Sequence, residues 1–147
     1  MNALFALLAA GMALAIAGLA LSACSEVEDV SGGGYEPAHV ETVEGAEVQR
    51  VTFTPEGARR TGLRTVTVRR SGSHRVVPHD ALIYDPAGTA YVYTRPAPLT
   101  FLRVPVDVDR VEGDRVLLAD GPPAGTEVVT VGATEVYGTE LGIAGGH

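Results

Sequence analysis

From Val48 onward, turn-forming residues cut the chain at short, regular intervals, and this limits what it can fold into. The clusters are Ser71-Gly72-Ser73, Asp85-Pro86-Ala87-Gly88, Pro96-Ala97-Pro98, Glu112-Gly113-Asp114 and Asp120-Gly121-Pro122-Pro123-Ala124-Gly125. They draw on a chain-wide stock of 18 Gly and 9 Pro. The runs between them are too short for long helices but long enough for strands, which need only about 5–6 residues. Strand-like runs cover Val48–Phe53, Leu63–Arg70, His74–Val77, Ala81–Tyr84, Thr89–Thr94, Arg115–Ala119 and Glu127–Val131. Thr100–Asp109 alternates most clearly: Leu102, Val104, Val106 and Val108 share one face, Arg103, Pro105, Asp107 and Asp109 the other. Pro105 marks that run as an edge strand. One helical turn is expected at Thr54-Pro55-Glu56, with Thr54 as cap, Pro55 at the first position and Gly62 as stop. Gly132–Ile143 reads as a short terminal turn or strand. Strands spaced at 8–12 residues with Gly and Pro turns imply a mainly β fold, a small antiparallel sandwich or barrel.

The start of the chain differs. Ala3 to Leu21 is nearly all apolar, and Leu21-Ser22-Ala23-Cys24 closes it with small residues and the single cysteine. This stretch resembles the lipobox of bacterial lipoprotein signal peptides. The resemblance implies a signal helix over 1–23, cleavage before Cys24, and acylation of Cys24 by chains such as palmitate. The protein would then be lipid-anchored on the extracytoplasmic face of a cell membrane, periplasmic where there is an outer membrane. A retained transmembrane helix is the competing reading, since about 20 apolar residues span a bilayer core. Residues 24–47, with Ser31-Gly32-Gly33-Gly34, read as a flexible tether, and 48–147 as the β-domain.

Charge is segregated. Glu26, Glu28, Asp29, Glu36, Glu41, Glu44 and Glu47 precede Gln49 without a single Lys or Arg among them. Arg50, Arg59, Arg60, Arg64, Arg69, Arg70 and Arg75 follow, opposed by Glu56 alone. The formal net charge of −7 argues against nucleic acid as a partner. The Arg-rich segment reads either as a solvated surface or as a face for anionic lipid headgroups or an acidic partner.

Val77-Pro78-His79-Asp80-Ala81-Leu82-Ile83, Gly88-Thr89-Ala90-Tyr91-Val92-Tyr93, Val106-Asp107-Val108 and Gly125-Thr126-Glu127-Val128-Val129-Thr130-Val131-Gly132-Ala133 follow one another in order. Thr52–Ala58 and Gly62–Thr65 precede them. The series resembles the periplasmic adaptor subunits (membrane fusion proteins) of tripartite efflux systems, over about two thirds of the chain. In that family a lipoyl-like domain and a helical hairpin lie between the two pieces. Here only Ser71-Gly72-Ser73 separates Arg70 from His74. The resemblance implies a membrane-proximal β-module in which 48–70 pairs with the C-terminal strands. It implies docking on an inner-membrane transporter of the RND or ABC type, and no catalysis. Arg64, Arg69, Arg70, Tyr91, Tyr93 and Phe101 are the candidate docking residues. The aromatic three also read as core or sheet-face packing, with Tyr91 and Tyr93 on one face and Ala90 and Val92 on the other.

Chemistry-bearing clusters are sparse. His74, His79 and Asp80 are the only grouped ligand types, and adjacent strand residues point to opposite faces. No metal site or cofactor is expected, because such a site needs three or four converging ligands. Ser71 and Ser73 lack a nucleophile-elbow pattern, and Gly32-Gly33-Gly34 precedes Tyr35 where a phosphate loop needs Lys. A small-ligand or metal-binding envelope lipoprotein, independent of any transporter, is the alternative reading.

Overall fold

The computed structural model describes residues 35–143. The apolar run, Cys24 and the first part of the expected tether lie outside them. The described chain is mainly β, built of antiparallel sheets.

The strands are β1 (Ala38–Thr42), β2 (Gln49–Phe53), β3 (Arg64–Thr67), β4 (Arg69–Ser71), β5 (His74–Pro78), β6 (Ile83–Tyr84), β7 (Ala90–Ala97), β8 (Thr100–Pro105), β9 (Asp107–Glu112), β10 (Arg115–Asp120) and β11 (Glu127–Val131). The helices are α1 (Pro55–Thr61) and α2 (Ala133–Glu140). A 7-stranded sheet runs β1-β2-β8-β7-β11-β3, with β6 also on β7, and a 4-stranded sheet runs β4-β5-β10-β9.

The early segment is stitched into the late one, as expected. β2 pairs with β8 through Val51↔Phe101, and β3 with β11 through Val66↔Val128. β4 turns into β5 through Gly72-Ser73, with Ser71 opposite His74. The Glu112-Gly113-Asp114 turn joins β9 to β10 as read, with Gly113 at φ 64°.

Both faces of the large sheet are covered. On one, Val51, Phe53, Phe101, Tyr93 and Val129 pack with Ala133 and Val136 of α2, and Ala58 of α1 closes on the same cluster. On the other, Val92 and Val128 meet Val77, Val116 and Leu118 of the small sheet. Adjacent residues Val92 and Tyr93, and Val128 and Val129, therefore serve opposite cores. This is why β7 and β11 read as nearly continuous apolar runs.

The helical turn forms as its residues dictate. Thr54 Oγ1 accepts from Gly57 N–H at 3.0 Å, Pro55 opens α1, and Gly62 caps it at φ 69°. The same hydroxyl donates to the Pro37 carbonyl at 3.2 Å, tying the entry of β1 to the helix.

Five expectations are corrected. The tether does not extend to residue 47: Ala38–Thr42 is a strand in unbroken register with β2, because Ala38 packs on the helix-side core. Gly132–Ile143 contains the helix α2, whose Ala133, Val136, Tyr137 and Glu140 share one face at helical spacing. Thr100–Asp109 is two strands in different sheets, parted at Val106, whose N–H donates to Ala90 O at 2.9 Å. Its apolar residues do share a face, with Leu102 and Val104 opposite Thr94 and Val92 on the inter-sheet side, but the other face is not outward: Phe101 is buried and Arg103 nearly so on the helix side. Nor is β8 an edge strand. Pro105 is tolerated because it lies past Leu102, the last residue that pairs with β2.

Candidate docking surface

The candidate docking residues fall into three environments. Arg64 on β3 and Arg69 and Arg70 on β4 are exposed, and among the described residues they form no ion pairs. Arg59 on α1 is likewise exposed and free, whereas Arg60 is held by Glu56. Strand geometry explains the presentation. β3 and β4 are the terminal strands of their sheets, joined by the buried Val68, which exchanges hydrogen bonds with Thr126 O and Gly125 N–H. Arg69 and Arg70 thus stand just past the corner where both sheets end, Arg64 at the other end of β3.

A cleft of about 500 Å³ opens at that corner. Val66, Val76 and Pro78 supply apolar wall, with Arg69, Arg115 and Asp114 as polar lining. Arg115 lies 3.3 Å from Glu112, so Arg69 is the less engaged guanidinium there.

Tyr93 and Phe101 do not belong to any docking surface. Tyr93 is fully buried, and Phe101 stacks edge-on against Phe53 with centroids 5.9 Å apart. Their faces are covered by α2, the helix not foreseen from the sequence. Tyr91 is half-buried, with the Arg103 guanidinium 4.5 Å from its ring centroid.

That arginine belongs to a buried polar knot missing from the expected residues. Tyr93 donates its hydroxyl hydrogen to Glu140 Oε2, and Gln49 N–H donates to Glu140 Oε1 at 3.2 Å. Arg103 Nε stands 3.2 Å from Oε2 but off line for a hydrogen bond, so the contact is chiefly coulombic. Tyr137 flanks the guanidinium at 5.4 Å. Burial, and then the bond to Glu140, pushes the Tyr93 phenol well above its usual range. Both carboxylate oxygens are engaged, so the arrangement is a clamp fastening α2 to β2, β7 and β8. The spacing Ala133/Val136/Glu140 was the available signal; Gly138 and two threonines obscure it.

The expected histidine grouping disperses. His74 Nε2 is 3.2 Å from Asp109 Oδ2, while His79 and Asp80 are exposed on a 3-10 turn (His79–Ala81), not in a strand. Among the described residues no group of three His, Cys, Asp or Glu is placed to hold a metal ion, and no helix is long and apolar enough to cross a membrane. Cys24 lies outside the described residues.

No family model, no curated protein and no solved structure matches the chain.

Proposed function

We propose that this chain is a lipid-anchored, non-enzymatic accessory protein that docks on an extracytoplasmic face of a membrane transporter of the RND or ABC type. The observation that most supports the reading is the closure of residues 49–71 onto the later strands, with a two-residue hairpin where a full adaptor carries its insert. A chain lacking the hairpin retains a complete β-unit. Arg59, Arg64, Arg69 and Arg70, which form no ion pairs among the described residues, suit an acidic protein face or anionic headgroups. Acyl chains on Cys24, at about 0.8 kcal/mol per buried methylene, would concentrate that face at the bilayer.

The test has two arms. Cells expressing the full chain are fed an alkyne-tagged fatty acid; wild type is labelled and Cys24→Ser is not. A photo-crosslinking residue at position 70 then captures a transporter subunit in intact cells, and one at the buried position 93 does not. An unlabelled Cys24, or capture at 70 of soluble proteins alone, overturns the proposal.

A second reading, a small-ligand-binding envelope lipoprotein, draws on the cleft beside Arg69. It predicts that Val76→Trp, which fills the cleft, abolishes activity in the cell while crosslinking at position 70 persists.

A further inference from the structure

The outer edge of β1 is open among the described residues: β1 ends the strand order and pairs with β2 alone. The direction of its backbone groups follows from its neighbours. Phe53 N–H donates to Leu99 O, on the β8 side, and Pro37 O accepts from Thr54 N–H, on the β2 side. Ala38↔Phe53 is therefore a non-hydrogen-bonded pair of the β1–β2 ladder. Ala38, Val40 and Thr42 turn their N–H and C=O groups away from β2, toward the free edge.

Natural edges are usually guarded by Lys, Pro, a bulge or an inward charge. β1 reads Ala-His-Val-Glu-Thr; its one carboxylate, Glu41, lies 3.6 Å from Arg50 of β2, and the strand has no Lys, no Pro and no register shift. An apolar patch adjoins it. Val40 is 38% exposed and Leu141 48%. Val40 and Leu141 rim a groove of about 320 Å³ with Gln49 and Thr139. Val40 shares its sheet face with Val51, so the patch continues the helix-side core outward.

We propose that this edge pairs with β1 of a second copy of the chain, antiparallel and centred on Val40. The sequence is self-complementary in that register. Val40 meets Val40 of the second copy, Ala38 meets its Thr42, and the outward backbone groups of all three residues find partners. His39 and Glu41 project from the other face. In this register they occupy non-hydrogen-bonded positions, where Cα atoms come within about 4.5 Å. His39 of each copy then lies opposite Glu41 of the other, and the two-fold axis repeats the contact. The added strand also covers Val40 and Leu141. The closed two-fold pairing leaves no further β1 edge to propagate.

The full-length chain in detergent micelles tests this by sedimentation equilibrium. Wild type should sediment as two copies. Val40→Pro removes an N–H that faces the free edge and leaves the β1–β2 ladder intact; it should sediment as one copy with an unchanged circular-dichroism spectrum. His39→Glu sets like charges opposite each other and should also give one copy, and the swap His39→Glu with Glu41→His should restore two. In membranes, oxidised Val40→Cys should form a disulfide dimer, and Val111→Cys, exposed on β9, should not; wild type reports any contribution from Cys24. A one-copy wild type overturns the proposal, as does a His39→Glu dimer. So does a photo-crosslinking residue at position 40 that captures residues 1–34 or 144–147 of the same chain, or a different protein.

Discussion

The Arg103 guanidinium lies 3.2 Å from the Glu140 carboxylate, with the two side chains only 11% and 1% exposed. Such a pair holds an element in place more surely than it adds net stability, because desolvation offsets much of the attraction. Removing one partner is a different matter. Glu140→Ala strands the Arg103 charge and also deprives Tyr93 O–H and Gln49 N–H of their acceptor. The expected loss is about 3–5 kcal/mol in urea unfolding. Arg103→Met combined with Glu140→Leu should be less destabilised than Glu140→Ala alone, since no unpaired charge remains. A double variant at least as unstable as Glu140→Ala would show that the carboxylate's neutral hydrogen bonds, not the charge pair, anchor α2.

Tyr93 makes stability depend on alkali. Burial and the bond to Glu140 raise its phenol above the ordinary value of 10.0, so the folded protein keeps a proton that the unfolded chain releases. The contribution is fully present below pH 10, the unfolded value, and is lost as pH rises above it. Unfolding free energy should fall from this group alone by about 1.4 kcal/mol per pH unit above that point. Tyr93→Phe should remove that slope while lowering stability near neutrality by about 1–2 kcal/mol, through the donor lost to Glu140. Urea unfolding at pH 8 and at pH 11 gives both readings.

Much of this architecture was readable from local chemistry, and the misreadings share a cause. Thr54-Pro55 and Gly62 announce α1, and Gly113 and Gly72 announce their hairpins, because caps and turns are decided within a few residues. β1 was read as tether because His39 and Glu41 dilute it and its support is tertiary: Ala38 packs on a core built from distant strands. The cover over the second face of β8 is not legible, because hydrophobic alternation assumes that charges face water. Arg103 faces inward to meet Glu140, 37 residues later in the sequence, and no local pattern carries that information. Tyr93 and Phe101 read first as core or sheet-face packing and second as an exposed patch, and the cover by α2 decides for the core. The exposure of Arg64, Arg69 and Arg70 was legible, since an unpartnered arginine is rarely buried.

The unequal cover on the two faces of β8 separates two neighbouring truncations. Phe101 is buried against Phe53, whereas Leu102 is half-covered. Phe101→Ala should cost about 3–5 kcal/mol and Leu102→Ala distinctly less, because the cavity left by a half-exposed side chain is open to water. Thermal melts of the two variants, side by side, decide it. A greater loss at Leu102 would restore the alternation read from the sequence.

Gly57 offers the sharpest contrast between propensity and packing. Alanine in a helix interior is normally favoured over glycine by about 1 kcal/mol. At Gly57, however, an added Cβ would stand 2.2 Å from the Pro37 carbonyl oxygen. That oxygen also accepts from Thr54 N–H at 2.9 Å and from the Thr54 hydroxyl, so it cannot yield without losing both bonds. Gly57→Ala should therefore destabilise by about 1–3 kcal/mol, as overpacking does. The damage should concentrate at the entry to β1, where Pro37 leads into Ala38. Hydrogen exchange should show the amides of His39 and Glu41, which face β2, losing protection before those of β7 and β11. A Gly57→Ala protein as stable as wild type, with β1 still protected, would mean that β1 is held by its ladder with β2 and not by its tie to α1.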